Sequence, residues 1–520
     1  MSAPPVTDQP PPNLIAPKEA APARPDGPSG DRDAAIVPGL RAPVAAAGPV
    51  SDLDRIAGAA GSSRLRLALG IAVTSTTVLF GSADDLPLAL NGLLLFVLAA
   101  ATLVLFPMPA RFVRLAAVAG ALAFVLAGWA VIQTLPVPLS LAHPVWSVAE
   151  AEIGLSAGAL SVDPARTTAA IIPLLIPFAV FLATLALATD DAAAVSVLRF
   201  HAIAGGVIAV FAILQFELAP GTLIAIEKTA YLDSLTGPFV NRNTAATYFA
   251  MIALLACGLG IASQPATGDT ERAGLLAGAD PRLFWGSIAL LALVAVGLTN
   301  SRAGLAAGVA GFVVATALMI AGPGAGGRAS GRFGPAEGER PRNRVVLAIG
   351  AVVVIVVAAA FVGGRSLFRL DVAGLADNRF CILPRTLDLA ADNWLTGTGL
   401  GTFEVAYVAY RDPVCGIYGA WDSAHNVYID AFVTLGIIAV PATAAILGVL
   451  VAVLWKGLSR RRRLRALPAV GLGIVTLTAL HALFDFSIEI AGFSAPFAAI
   501  VGAIVAIAAT RSRSAGIAPR

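Results

Sequence analysis

Charged side chains are scarce in this chain of 520 residues: Asp, Glu, Lys and Arg make up 13%, against 58% hydrophobic residues, and mean hydropathy is +0.83. A soluble domain of this length needs a charged shell to stay dispersed, so that class is excluded. Cysteine is nearly absent, with three in the whole chain. Cys257 falls in an apolar run, whereas Cys381 and Cys415 share a polar stretch and would be able to pair in an oxidising compartment. There is no CxxC and no His/Cys cluster of the metal-binding kind. A P-loop, a Rossmann glycine fingerprint and a carboxylate cluster for a divalent ion are also missing. Nucleotide-driven chemistry and a nucleic-acid partner are therefore not expected, and no metal or other cofactor is implied.

What is abundant is apolar runs of about 20 residues, each enough to cross about 30 Å of hydrocarbon. They fall at roughly 65–83, 86–107, 113–135, 167–188, 195–216, 243–263, 284–299, 303–322, 345–363, 426–455, 468–490 and 493–510. The expected fold is an all-α, polytopic transmembrane bundle of about twelve helices, with a large outer loop over 364–425. Residues 1–62, rich in Pro and Ala, read as a disordered tail without the pattern of a signal peptide. Residues 63–510 form the transmembrane domain, and 511–520 a second tail. Lys and Arg gather in the connections after the second, eighth, tenth and twelfth runs, which the positive-inside rule makes cytoplasmic together with both termini.

Polar chemistry is concentrated in a few places facing the other side. In LTGPFVNRNTAATYFAM, Asn241 and Asn243 are N-cap types, and Arg242 between them adds a planar cation suited to phosphate oxygens. This reads either as an anion site at a helix N-terminus or as a capped helix with a snorkelling arginine. Arg302 sits in the tight joint LTNSRAGLAAG and needs a partner from elsewhere, a protein carboxylate or a ligand phosphate. His481, Asp485 and Glu489, spaced i, i+4, i+8, would share one helical face, with Asp485 as counter-ion and orienter. His425, at the end of the outer loop, is either a general base or a helix-start residue. Arg385 heads an amphipathic stretch in which Leu387, Ala391 and Trp394 share a face, suited to lying on the membrane or packing on the bundle.

Four blocks occur in order: GPFVNRNTAATYF, LTNSRAGL, RTLDLAADNWLTGTGLGTF and SAHNVYIDAFVTLG, followed by HALFDF. Together, over residues 235–500, they resemble the bacterial O-antigen ligase and polymerase superfamily. The pair His425–Asn426, nine further residues and Gly436 match the ligase-type signature, although Val440 stands where a small residue is often expected. The resemblance implies a GT-C-like, metal-independent membrane glycosyltransferase in the bacterial inner membrane, with its active site facing the periplasm. Its donor would be a glycan on undecaprenyl diphosphate, and its acceptor a lipid A core or, for a polymerase of O-antigen or exopolysaccharide, another lipid-linked glycan. It implies a catalytic pair, His425 and Arg302. Arg242, Arg302 and Arg385 would face the diphosphate, with Asn241, Asn243, Asn426, His481 and Asp485 in support. Transfer to a protein hydroxyl is a less favoured acceptor. The rival of another class is a secondary transporter, but no repeat relates the two halves.

Overall fold

The computed structural model describes residues 52–224, 226–263, 280–321, 378–415, 421–461 and 464–510. In chain order these form α1 (Asp52–Val78), α2 (Asp85–Leu105), α3 (Val113–Thr134), α4 (Val145–Ile153), α5 (Pro164–Leu187) and α6 (Asp191–Leu218). A two-residue antiparallel pair follows, β1 (Thr222–Leu223) with β2 (Ile226–Glu227). Next come α7 (Arg242–Ala262), α8 (Pro281–Leu298), α9 (Arg302–Ala321), α10 (Asn378–Asp392) and α11 (Phe403–Tyr407). The chain ends with α12 (Val427–Leu435), α13 (Ala439–Arg460), α14 (Ala466–His481) and α15 (Ala491–Ala509).

Among the described residues, nine helices are long and apolar enough to cross a membrane, and the chain is an all-α, multi-pass membrane protein. The difference from the expected twelve has three sources. The run at 345–363, like the start of the outer loop, lies outside the described residues. The helix covering the first run, α1, carries Arg64 and Arg66 and falls short of the apolar helices. The eleventh run, expected to continue to 490, stops as a helix at His481, leaving α14 with 16 residues. Most of the expected N-terminal tail, 1–51, is also outside the described residues. The helix that follows begins at Asp52, within the stretch read as tail, because the last ring of that Pro-rich segment is Pro49 and nothing beyond it blocks the helical backbone.

Burial sorts the helices into layers. The apolar window of α15 is 94% buried and that of α7 83%, against 11% for Ala110–Thr134, so α7 and α15 are central and α3 is peripheral. Leu90, Leu93, Val104 and Phe124 on α2 and α3 are exposed, as a lipid-facing surface requires. Small residues let the central helices approach: a Cβ on Gly311 of α9 would lie 2.7 Å from the Gly473 carbonyl oxygen of α14, so the two backbones meet directly.

At one face of the bundle, arginines close helix C-termini whose last carbonyls have no intrahelical donor. Arg66 donates to the Leu187 carbonyl (3.3 Å) and Arg111 to those of Ala188 (3.4 Å) and Thr189 at the end of α5. Arg465 donates to the Leu318 (2.7 Å) and Met319 (2.8 Å) carbonyls at the end of α9. Arg461 donates to the Thr510 carbonyl (3.1 Å) after α15 and pairs with Asp191. Since α9 and α15 run from one face to the other, their N-terminal ends lie together at the opposite face.

Candidate functional site

That opposite face gathers the start of α7, the start of α9, the start of α12 and the end of α14. Asn241 caps α7, its side-chain oxygen accepting the Asn243 backbone N–H at 2.8 Å. Asn243 is buried and works in both directions: its amide donates to the Asp485 carboxylate, and its carbonyl accepts the Ser301 hydroxyl at 2.8 Å. Asn241 donates to the other Asp485 oxygen at 3.3 Å. Asp485 is fully buried and also accepts the backbone N–H of Phe486 (2.9 Å). A buried carboxylate needs such donors to offset its desolvation. The helical face expected for His481, Asp485 and Glu489 is therefore absent. The chain leaves the helix at His481, whose carbonyl accepts from Phe484 N (2.9 Å) and Asp485 N (3.1 Å), and a 3-10 turn, Ser487–Glu489, follows. Leaving the helix is what carries Asp485 to the two asparagines.

Arg302 opens α9 directly after Ser301 and is exposed. Asn300, just before it, holds φ at 54°, and its amide donates to the Asp233 carbonyl at 2.9 Å, which pins the turn. Arg242 is half-buried, 5.1 Å over the Tyr231 ring and 3.4 Å from the Ser234 hydroxyl.

His425 also holds a left-handed backbone, φ 51°, which costs a non-glycine residue energy and persists only where the surroundings impose it. The surroundings are specific. The Ser423 hydroxyl accepts the His425 N–H (3.1 Å), and Asp430 reaches back to the Ala424 N–H (3.0 Å). Asn426 caps α12 by accepting from Tyr428 N (3.0 Å) and Ile429 N (3.2 Å). The imidazole packs 5.4 Å from the Phe486 ring and 6.1 Å from Trp421. The start of α12 is tied to α14 by Val427 N donating to the Ala482 carbonyl (2.9 Å) and the Tyr428 hydroxyl to that of Ala479 (2.8 Å). His481 closes the same corner, its Nδ1 3.3 Å from the Ser487 hydroxyl. Arg302 and His425 are thus linked through Ser301, Asn243, Asp485 and Phe486.

Arg385 is placed differently. It is exposed on α10 and pairs with Asp388 (3.2 Å) and Asp412 (3.3 Å), whose hydrogen bonds hold its pKa above the ordinary arginine value. The stripe of Leu387, Ala391 and Trp394 faces outward, while Ile382, Thr386 and Leu389 pack inward. Cys381 and Cys415 form a disulfide that ties α10 to the segment carrying Asp412.

The GTGLGTF turn docks on the end of α12. Thr398 N donates to the Val433 carbonyl (2.9 Å) and Gly399 N to that of Thr434 (3.0 Å). Gly436 ends α12 with φ 66°, and a Cβ there would lie 2.7 Å from the Gly397 nitrogen. This accounts for the spacing from His425 to Gly436 in this chain: α12 ends where the turn crosses it.

Glu489 adds a further acid near Asp485, and its side chain is exposed. Desolvation, with Asp430, Asp485 and Asp422 nearby, holds its pKa well above the ordinary carboxylate value. Among the described residues no three His, Cys, Asp or Glu side chains are placed to hold a metal ion.

Ser301, Phe486, Trp421 and Tyr231 were not singled out by the sequence reading. Ser301 and Phe486 lie inside quoted blocks, next to the residues that drew notice; Tyr231 carries no local signal. No curated protein matches the chain. Residues 287–442 match the family model described as O-antigen ligase, a stretch that contains Arg302, Arg385, His425 and Gly436. That stretch carries the resemblance of the chain to the O-antigen ligase and polymerase superfamily.

Proposed function

We propose that this protein is a glycosyltransferase that moves a glycan from undecaprenyl diphosphate to an acceptor hydroxyl at the periplasmic face of the bacterial inner membrane. The observation that carries this reading is the meeting of the Asn241–Asn243, Ser301–Arg302 and His425–Asn426 motifs around Asp485 and Phe486. A diphosphate at the membrane surface gains charge on its bridging oxygen as the sugar–phosphate bond breaks. Arg302 and Arg242, each at the start of a helix whose dipole adds partial positive charge, meet that charge in place of a metal. Arg385, assigned to the diphosphate by the same resemblance, is already paired with two carboxylates.

The acceptor oxygen attacks the anomeric carbon and its proton passes to His425, while the bonding pair leaves with undecaprenyl diphosphate. One displacement inverts the anomeric configuration. Asp485, Asn241 and Asn243 hold the cations in register, and His481 and Asn426 hold the imidazole corner. The arginine-capped face reads as cytoplasmic with both termini, and the Cys381–Cys415 bond fits an oxidising compartment for the other face.

The test is deletion followed by analysis of envelope glycans. Accumulated full-length polymer on the lipid carrier marks a ligase acting on lipid A core, and accumulated single repeats mark a polymerase. Unchanged glycans with altered uptake of a solute would overturn the assignment. So would a purified product that retains the donor configuration.

A further inference from the structure

A groove opens at the arginine-capped end of the bundle. It lies about 20 Å along α1 from the His425 end, counting 1.5 Å per residue from Arg64 to Val78. Its deeper part, a cavity of about 310 Å³, has Leu69, Leu187, Val197 and Phe200 in its walls, with Arg64 and Arg66 also lining it. A cavity of about 540 Å³ shares Ser63, Arg66 and Ser196 with it, so the two adjoin.

Three observations say what suits this groove. Arg64 is exposed and makes no hydrogen bond or ion pair with the described residues. Among the described residues Arg66 has only neutral partners, the Ser62 hydroxyl and the Leu187 carbonyl, each at 3.3 Å, and no carboxylate of those residues pairs with it. The carboxylates of the α5–α6 turn are engaged: Asp190 caps α6 by accepting from Ala193 N (2.8 Å), and Asp191 pairs with Arg461. Further in, the wall includes Thr184, whose buried hydroxyl has no hydrogen-bond partner among the described residues, and the buried His201 edge-on to Phe200.

Cationic groups over an apolar slot, beside helices long and apolar enough to cross a membrane, fit an amphiphile rather than a free anion. We propose that this groove binds an anionic membrane phospholipid, with its phosphate at Arg64 and Arg66 and an acyl chain against Leu69, Val197 and Phe200. The ester region would lie at the level of the Thr184 hydroxyl. The proposal is independent of the transfer reaction, since none of these residues belongs to the His425 site.

The test is native mass spectrometry of the full-length protein titrated with phosphatidylglycerol or phosphatidylcholine, with excess inorganic phosphate in a parallel series. Wild type is expected to retain one phosphatidylglycerol in preference to phosphatidylcholine. Inorganic phosphate should not displace it. Arg64→Ala, which removes no hydrogen bond or ion pair among the described residues, should weaken retention about fivefold, the weight of one arginine near an anionic lipid. Val197→Trp, which fills the slot and leaves the charges, should abolish it. Thermal unfolding of both variants checks that they fold. Wild-type retention in a folded variant of either kind, absence of headgroup preference, or full displacement by inorganic phosphate would overturn the proposal.

Discussion

Ser301 donates its hydroxyl hydrogen to the side-chain carbonyl of Asn243 at 2.8 Å, and both residues are buried. Because Asn243 also donates to Asp485, this bond makes the Arg302 turn and the Asp485 turn one unit. Replacing either partner by Ala leaves a buried polar group unsatisfied, at about 1–3 kcal/mol. The Ser301→Ala/Asn243→Ala double variant should cost less than the sum of the singles. Chemical unfolding of the four proteins measures the coupling, and strict additivity would show that the bond carries no energy.

Arg302 is exposed, so its replacement should leave stability within about 0.5 kcal/mol. Arg302→Ala should nonetheless lower glycan transfer by about 10²–10³-fold. Arg302→Lys should recover only part of it, since an ammonium lacks the planar fork. A purified assay with a lipid-linked donor reads both. Full activity in the Lys variant would show that charge alone is used.

Glu489 gives a pH signature. Its carboxyl is protonated more readily in the folded protein than in the unfolded chain, because of desolvation and the acids Asp430, Asp485 and Asp422. Between the ordinary value of 4.5 and the raised folded value, the folded state therefore binds more protons, so stability falls as pH rises through that window. Glu489→Gln should unfold at a higher temperature than wild type at pH 8 and at a similar temperature at pH 4. Parallel curves across that range would refute it.

Gly436 is expected to tolerate no side chain. Its φ of 66° and the Gly397 nitrogen 2.7 Å from a would-be Cβ put both strain and a clash on Gly436→Ala. A loss of about 1–3 kcal/mol follows from the left-handed backbone, and more from parting the turn and helix. Activity should fall with it, since α12 positions His425. Wild-type melting in this variant would mean that the crossing is loose.

Much of this was legible because each block is local in sequence. The Asn241 cap, the joint before Arg302 and the position of His425 follow from short motifs whose residues act within a turn or two. Crossings were legible for the same reason, as apolar runs. The stop at His481 was not. HALFDFSIEI keeps helical spacing and apolar composition, and what ends the helix comes from elsewhere: Val427 taking the Ala482 carbonyl and two asparagines of α7 drawing Asp485. Arg385 shows the same limit, because Asp412, 27 residues away, reaches it only through the fold. The role of Ser301 was hidden by its neighbour, whose charge drew the attention.

The arginines at the ends of α5, α9 and α15 have a consequence for engineering. Orientation in a bilayer responds to positive charge and treats lysine and arginine alike, but closing two carbonyls at once, as Arg465 does, takes a guanidinium's fork. Arg465→Lys should leave a topology reporter unmoved while the end of α9 frays, separating how the chain inserts from how firmly it is stitched.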